Sequence, residues 1–555
     1  MHRYHILPIL PFCAALLIST GLLAQHETRG DSYLPPLKQR SVSPAFSGGG
    51  NIFSFTQVNV DENGQNILGD AANEPSIAIN PLDPQKMVMG WRQFDNVNSN
   101  FRQAGFGYTL DGGQTWTFPG VLEPGIFRSD PVLDVDADGR FYYNSLTLDS
   151  NFHCTVFRSI GDGIWDGGIS AFGGDKQWMT IDKTAGTGRG HIYSAWNLSY
   201  TSCPPGAFTR STDEGDIYED CTALGQHLYW GSMDVAPDGA VYIAGTQGIA
   251  KSLNAQDVGD TATWQITYPD LGGPLSGFLT DSPNPAGLLG QVWVATNHSA
   301  DSLNGDVYVL SSVKPIDVAD SLDVMFCRST DGGQSWSAPL RINDDDPGDA
   351  WQWFGTMSVA PNGRIDAVWL DTRDYPGTYL SSLYYSNSFD GGQHWSANER
   401  LSDTFDPHIG WPQQNKMGDY FHMISDNSGA HLAWAATFNG EEDVYYGHIA
   451  LDVVATDQVR ADAPARLFQN SPNPFRERTA ISYQVEAPGR VGIHIYNQMG
   501  QRVRTLSDRP HGAGNYTVQW DGRDEGESML PGGVYYCEMW YENRGAAYRS
   551  MILVR

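Results

Sequence analysis

Four carboxylates, Glu74, Asp130, Asp175 and Asp419, stand at or just before the first residue of short segments in which apolar and polar residues alternate. Three arginines lie near the ends of neighbouring segments, as Trp91-Arg92, Phe127-Arg128 and Trp369-Leu-Asp-Thr-Arg373. Carboxylates acting as acid and base, with guanidinium groups clamping an anionic sugar carboxylate, constitute glycosidase chemistry. The same side chains can instead pair with one another as polar caps around a channel mouth, which is the simpler reading. If no arginine cluster forms, Trp178, Trp230 and Trp353 offer aromatic faces for stacking a sugar.

Asn343-Asp-Asp-Asp-Pro-Gly-Asp349 is a dense oxygen cluster in a loop, and Asp344, Asp346 and Asp349 are the candidate ligands of a possible Ca2+ ion. A solvated acidic loop is the competing reading. Asp134-Val-Asp-Ala-Asp-Gly139 also resembles the start of a calcium loop, but Ser145 stands where the closing acidic residue belongs. No cofactor is implied with certainty. Cys203 and Cys221 bracket one loop and form the expected disulfide in an oxidising compartment. No CxxC or His-rich spacing suggests zinc, and no GxSxG elbow, phosphate loop or HExxH occurs.

The elements that must position these residues repeat. Thr109-Leu-Asp-Gly-Gly-Gln-Thr-Trp116, Ser329-Thr-Asp-Gly-Gly-Gln-Ser-Trp336 and Ser388-Phe-Asp-Gly-Gly-Gln-His-Trp395 are nearly superimposable, with weaker copies ending at Trp165, Tyr218 and Trp264. Ahead of each box lie two alternating strands around a tight turn, such as Met233-Asp-Val-Ala-Pro-Asp-Gly-Ala-Val-Tyr-Ile243. Asp138-Gly139 aligns with that turn, which makes Asp134 and Asp136 strand residues. Two hairpins make four strands, and a four-stranded unit buries both faces by radial stacking. The strand pair begins at Pro75, Pro131, Gln177, Gly231, Gly290, Gly355 and Gly418. The fold class is therefore all-β: a β-propeller of seven blades, with six as the alternative, followed by a small sandwich. The last copy has no box, and the alternating stretch 51–60 is placed to supply its missing outer strand.

The boxes resemble the Asp-box (BNR) repeats of sialidase-like propellers over roughly residues 66–452. That resemblance implies structural work for Asp111, Asp331 and Asp390, whose carboxylates hold tight turns, and for Trp116, Trp336 and Trp395, packed beneath the hairpins. It places the boxes away from the active face. It also implies that catalysis, if present, uses Glu74, Asp130 and Asp419 as acid and base, with Tyr420 as a nucleophile paired with a carboxylate. Arg92, Arg128 and Arg373 would then hold an anionic ligand. The family's early Arg-Ile-Pro motif is missing, since Phe127-Arg128 is followed by Ser129-Asp130.

Residues 467–555 have a different texture, with strands separated by Gly and Asn turns. Asn470-Ser-Pro-Asn-Pro-Phe475, Ile495-Tyr496-Asn497 with Gly500, Trp520-Asp521-Gly522, Gly532-Gly533-Val534-Tyr535 and the basic end Val554-Arg555 resemble the type A C-terminal sorting domain of type IX secretion. The resemblance implies an Ig-like sandwich similar to the flagellar hook-capping fold, and the outer-membrane secretion machinery as partner. Residues 1–24 read as a signal peptide, 25–50 as a flexible leader, 51–454 as the propeller and 455–466 as a linker.

With 34 Lys and Arg against 64 Asp and Glu the formal net charge is −30, which repels phosphate backbones and leaves nucleic acid without an electrostatic footprint. No segment of the mature chain has the apolar length of a spanning helix. The expected protein is secreted or held on the outer cell surface and binds a carbohydrate or other extracellular ligand at the channel mouth. An exo-acting sialidase-like glycoside hydrolase and a protein-interaction scaffold are the alternatives.

Overall fold

The structure is a computed structural model that describes residues 31–33, 40–50, 52–149, 151–198, 200–274, 279, 281–316, 320–346, 348–450, 465–497, 502–542 and 544–555. The proposed signal peptide and most of the proposed linker lie outside these residues. Among the described residues no helix is long and apolar enough to cross a membrane.

Seven antiparallel sheets follow one another along the chain, with inner strands Ala71–Ile79, Ser129–Val135, Trp178–Ile181, Met233–Val235, Trp293–Thr296, Gln352–Val359 and His422–Ser425. Each inner strand contacts the next, and the seventh contacts the first, so the sheets are the blades of a closed seven-bladed propeller. Burial on both faces explains the side chains: Met87–Phe94, Val307–Val313 and Gly429–Ala436 are buried at every position. The third blade has three ladder strands, and its outer edge is only an isolated bridge between Phe208 and Thr222.

The seventh blade closes the ring with chain from the N-terminal side. Phe53–Gln57 pairs antiparallel with Asp443–Ala450, from Phe53 opposite Ile449 to Gln57 opposite Tyr445. Phe53 and Phe55 enter the core beside Trp434, with ring centroids 6.3 and 5.4 Å from it. The leader is less irregular than its composition predicts. Val42–Pro44 pairs with Gln65–Ile67, and Ser47–Gly49 folds back on Ser54–Thr56. Gly49 has a positive φ, and a Cβ there would sit 2.1 Å from the Phe53 carbonyl oxygen, a close approach that only glycine permits.

The repeated boxes are one turn made four times. Thr109 Oγ1 donates to Asp111 Oδ1 (2.7 Å), and accepts from the Gly113 N–H (3.1 Å); the Thr115 N–H donates to Asp111 Oδ1 (2.9 Å). Ser329, Asp331, Gly333 and Ser335 repeat the pattern, as do Ser388, Asp390, Gly392 and His394, and Ser211, Asp213, Gly215 and Ile217.

Their aromatic ends add a contact between blades. Trp116, Trp336 and Trp395 are half-buried, and each also reaches the preceding blade. Trp116 meets Tyr446 of blade seven at 5.2 Å, Trp395 meets Phe326 of blade five at 5.2 Å, and the Trp336 indole donates to Thr267 of blade four at 3.2 Å.

The C-terminal residues form a two-sheet Ig-like sandwich. One sheet holds Ala465–Leu467, Thr479–Val485 and Gly514–Trp520, and the other holds Arg502–His511, Gly489–Tyr496, Gly533–Tyr541 and Arg544–Leu553. Its own core contains Phe475, Ile493, Trp520, Tyr535 and Met551.

Candidate functional site

Six of the seven inner strands have a left-handed residue within or just ahead of their first residues. Glu74, Asp130, Lys176, Trp230 and Phe354 hold φ between 45° and 57°, and Gly418 holds 81°. In three blades the residue sits in a β-bulge, marked by register shifts between Asn73 and Ser76, Asn144 and Leu146, and Trp353 and Thr356. A bulky side chain at positive φ is costly, and five at one repeat position show that ring geometry imposes the conformation.

Three of these strained residues carry charges, and they converge. Lys176 Nζ lies 2.5 Å from Asp419 Oδ2, 3.5 Å from Asp130 Oδ2 and 3.9 Å from Glu74 Oε1. Lys416 Nζ lies 2.6 Å from Asp419 Oδ2 and 3.4 Å from Glu74 Oε1, and Arg92 Nη2 lies 3.2 Å from Glu74 Oε1. The side chains of Glu74, Arg92 and Lys176 have no exposure. Blades one, two, three and seven thus meet in a buried network of opposite charges.

Burial raises the Glu74 carboxyl to about 8, against the pull of Arg92 and Lys176. Burial acts on Asp419 too, but there Lys176, Lys416 and Arg92 outweigh it and hold the carboxylate well below its usual range. Asp130 is likewise held low by Lys176 and Arg92 against burial. Carboxyls pushed apart in this way can divide acid and base roles. Here, however, the ionised members face lysines inside the protein. Asp419 Oδ1 also accepts the Leu288 N–H (2.8 Å), and Asp130 Oδ1 accepts from Ser129 Oγ (2.9 Å).

An aromatic layer continues the plug. Trp178 of blade three packs edge-on against Trp293, Tyr420 and His422, at 5.2, 5.5 and 5.5 Å. The Tyr420 hydroxyl donates to the Pro131 carbonyl (2.8 Å), and burial with nearby Glu74 and Asp130 raises its pKa well above that of a free phenol. A nucleophilic phenolate is therefore opposed on both counts.

The remaining sequence candidates separate. Arg128 pairs with Glu123, stacks over Phe157 at 5.1 Å and does not join Arg92. Arg373 pairs with Asp371 (2.8 Å) and Asp344 (2.7 Å) in the outer loops. The three-arginine clamp is not assembled. Asp175 is buried beside the cluster, and its charge acts on Lys176 and Arg102. Trp230 is half-buried at its left-handed position, whereas Trp353 is fully buried with its indole on Ser381 Oγ (3.1 Å). Trp178 and Trp353 are thus core residues with no free face for a sugar. Asp344 is committed to Arg373 and to the Asn398 N–H (2.9 Å), and among the described residues no group of three or more His, Cys, Asp or Glu could hold a metal. Asp344, Asp346 and Asp349 are not gathered into such a group. Cys203 and Cys221 are disulfide-bonded, with Cα atoms 6.4 Å apart.

The sequence reading missed Lys176 and Lys416. Lys176 directly precedes Gln177, the first residue of its repeat, in register with Glu74 before Pro75 and Asp130 before Pro131. That register was the available signal. Lys416 is delivered by the long loop into blade seven, stitched to the loop before blade five by Asn284, which bonds the Gly418 carbonyl (2.9 Å) and the Met417 N–H (2.8 Å).

The FlgD Ig-like domain family matches residues 475–545. No curated protein matches the sequence. Among solved structures, a Dyadobacter fermentans protein of unknown function is 13% identical, covering 72% of this chain and 98% of its own, with a TM-score of 0.39. A Trypanosoma rangeli sialidase is 10% identical, covering 92% and 91%, with a TM-score of 0.37. A fungal alcohol oxidase in complex with copper is 11% identical, covering 92% and 100%, with a TM-score of 0.47.

Proposed function

We propose that this protein is an exported, non-catalytic propeller that binds a carbohydrate or other extracellular ligand on the face where the long loops surround its plugged centre, with the C-terminal sandwich acting as the address for type IX secretion. The observation that carries the non-catalytic reading is the charge cluster: Glu74, Asp130 and Asp419 are buried and neutralised by Lys176, Lys416 and Arg92. A hydrolase needs its acid and base within reach of a substrate bond. The Asp-box reading of the repeated turns is supported by their shared hydrogen bonds, which commit Asp111, Asp331 and Asp390 to holding loops. The sorting role rests on the family match within an Ig-like sandwich and on the terminal motifs.

The test is a pair of measurements on the purified mature chain. At least one member of a panel of immobilised neutral and acidic glycans should retain the protein, while 4-methylumbelliferyl glycosides, including the α-sialoside, should not be turned over. Turnover abolished by Asp130→Asn or Tyr420→Phe in a folded protein overturns the non-catalytic reading. Failure to bind any glycan overturns the carbohydrate assignment.

A further inference from the structure

On the loop face, four rings from three separate segments form a chain. Trp351 precedes the inner strand of blade six, Tyr379 lies in the loop between its middle strands, and His408 and Trp411 lie in the loop into blade seven. Centroids are 6.4 Å apart for Trp351 and Tyr379, 4.7 Å for Tyr379 and His408, and 5.2 Å for His408 and Trp411. All four are half-buried, so each keeps part of its surface exposed. Tyr379 donates its hydroxyl to the exposed Asp281 carboxylate, and exposed Tyr375 lies in the same loop as Tyr379.

The segments are tied in place. Trp351 exchanges hydrogen bonds with Thr372 (2.9 and 3.2 Å), and Ser381 does so with Phe405 (3.0 Å both ways). His408 Nε2 bonds the Ser282 carbonyl (3.0 Å), and Thr437 Oγ1 donates to the Asp406 carbonyl (2.6 Å). The rings are therefore ordered before any ligand arrives, which lowers the entropic cost of binding.

We propose that Trp351, Tyr379, His408 and Trp411 form a stacking platform for a neutral saccharide, with Asp281 as a hydrogen-bond acceptor for its hydroxyls; this rests on the reading that the protein binds carbohydrate. The polarised C–H groups on a pyranose face stack on the negative face of an aromatic ring. A chain of rings spaced about 5 to 6 Å follows successive parts of an oligosaccharide rather than one small molecule. The carboxylate at the platform and the net charge of −30 favour hydroxyl donors and disfavour sialic or uronic acids.

The experiment is titration of the mature chain with cellohexaose, laminarihexaose, xylohexaose, mannohexaose and chitohexaose, with sialyllactose and oligogalacturonate as acidic probes. At least one neutral hexasaccharide is expected to bind, and Trp411→Ala and Tyr379→Ala should each weaken it about tenfold or more in variants that remain folded. In the unsubstituted protein the same hexasaccharide should protect Trp351 and Trp411 from N-bromosuccinimide, read by peptide mass spectrometry, which keeps the test open if a variant fails to fold. Neutral binding that survives both substitutions without protection of these tryptophans overturns the platform and leaves carbohydrate binding intact. Binding of acidic probes alone overturns the neutral class. Binding of no saccharide at all overturns the underlying reading and the platform together.

Discussion

Lys176 of the third blade and Asp419 of the seventh meet at 2.5 Å, with side chains 0% and 2% exposed, so a single ion pair joins blades that are not neighbours in the ring. Each is also held by further charges, Lys176 by Asp130 and Asp419 by Lys416. The centre of the propeller is thereby a fastening as well as a filling. Removing one member of a buried pair leaves the other charge uncompensated, which is costlier than replacing both.

Asp419→Ala should therefore lower stability by about 3 to 5 kcal/mol. Asp419→Leu combined with Lys176→Met should recover part of that loss. Chemical denaturation of the variants checks both statements, and a double variant less stable than Asp419→Ala would contradict the fastening.

Trp116 and Tyr446 give a second measure of ring closure, because their rings, 5.2 Å apart, belong to the first and last blades. Trp116→Ala should cost roughly 2 to 4 kcal/mol, since the ring is half-buried. A double-mutant cycle with Tyr446→Ala should return a coupling of about 0.5 to 1.5 kcal/mol. Asp331→Asn, in contrast, should loosen its turn and leave glycan affinity unchanged.

Deleting residues 51–60 should expose the edge of Asp443–Ala450, to which Phe53–Gln57 is paired. An unpaired edge strand invites association with other chains. The deletion should lower the melting temperature and produce aggregates in light scattering. A variant that melts with the parent and stays monodisperse would contradict this closure.

His422 Nδ1 accepts the Ile77 N–H (3.2 Å), and burial, with a smaller contribution from Lys183, lowers its pKa from 6.5 to about 3. A base lowered in the folded state takes up its proton first in the unfolded chain. Its stabilisation is therefore full above the unfolded value and is lost as pH falls toward the folded one. The stability advantage of the wild type over His422→Asn should shrink between about pH 7 and about pH 4.5. Denaturant midpoints at the two pH values measure it.

The sandwich has its own core, so a chain ending at Arg460 should fold and keep its ligand yet remain periplasmic in a type IX secreting host. Residues Leu467 to Arg555 fused to an unrelated exported protein should carry it across the outer membrane. A truncated chain found outside the cell, or a fusion retained inside, would reassign the tail to surface binding.

The features legible from sequence are those decided within a few residues. The turn at Asp331 needs only Ser329, Gly333 and Ser335 around it, so its composition announces its structure wherever it occurs. The seven strand pairs, and the boxless last copy that needs a strand from elsewhere, follow from counting such local units. Spacing along the chain says nothing about which side chains meet at the axis. Arg92, Arg128 and Arg373 look alike in sequence, yet only Arg92 joins the central cluster, where it pairs with Glu74. Trp353 and Trp351 are two residues apart, and only their places relative to the ring make one core and the other surface. Nor does local pattern show Val42–Pro44 pairing with Gln65–Ile67, since a short strand gains its stability from the partner it finds. Local hydrogen bonding and repeat length determined the propeller; closure of the ring decided which charges were brought together, buried and neutralised at its centre.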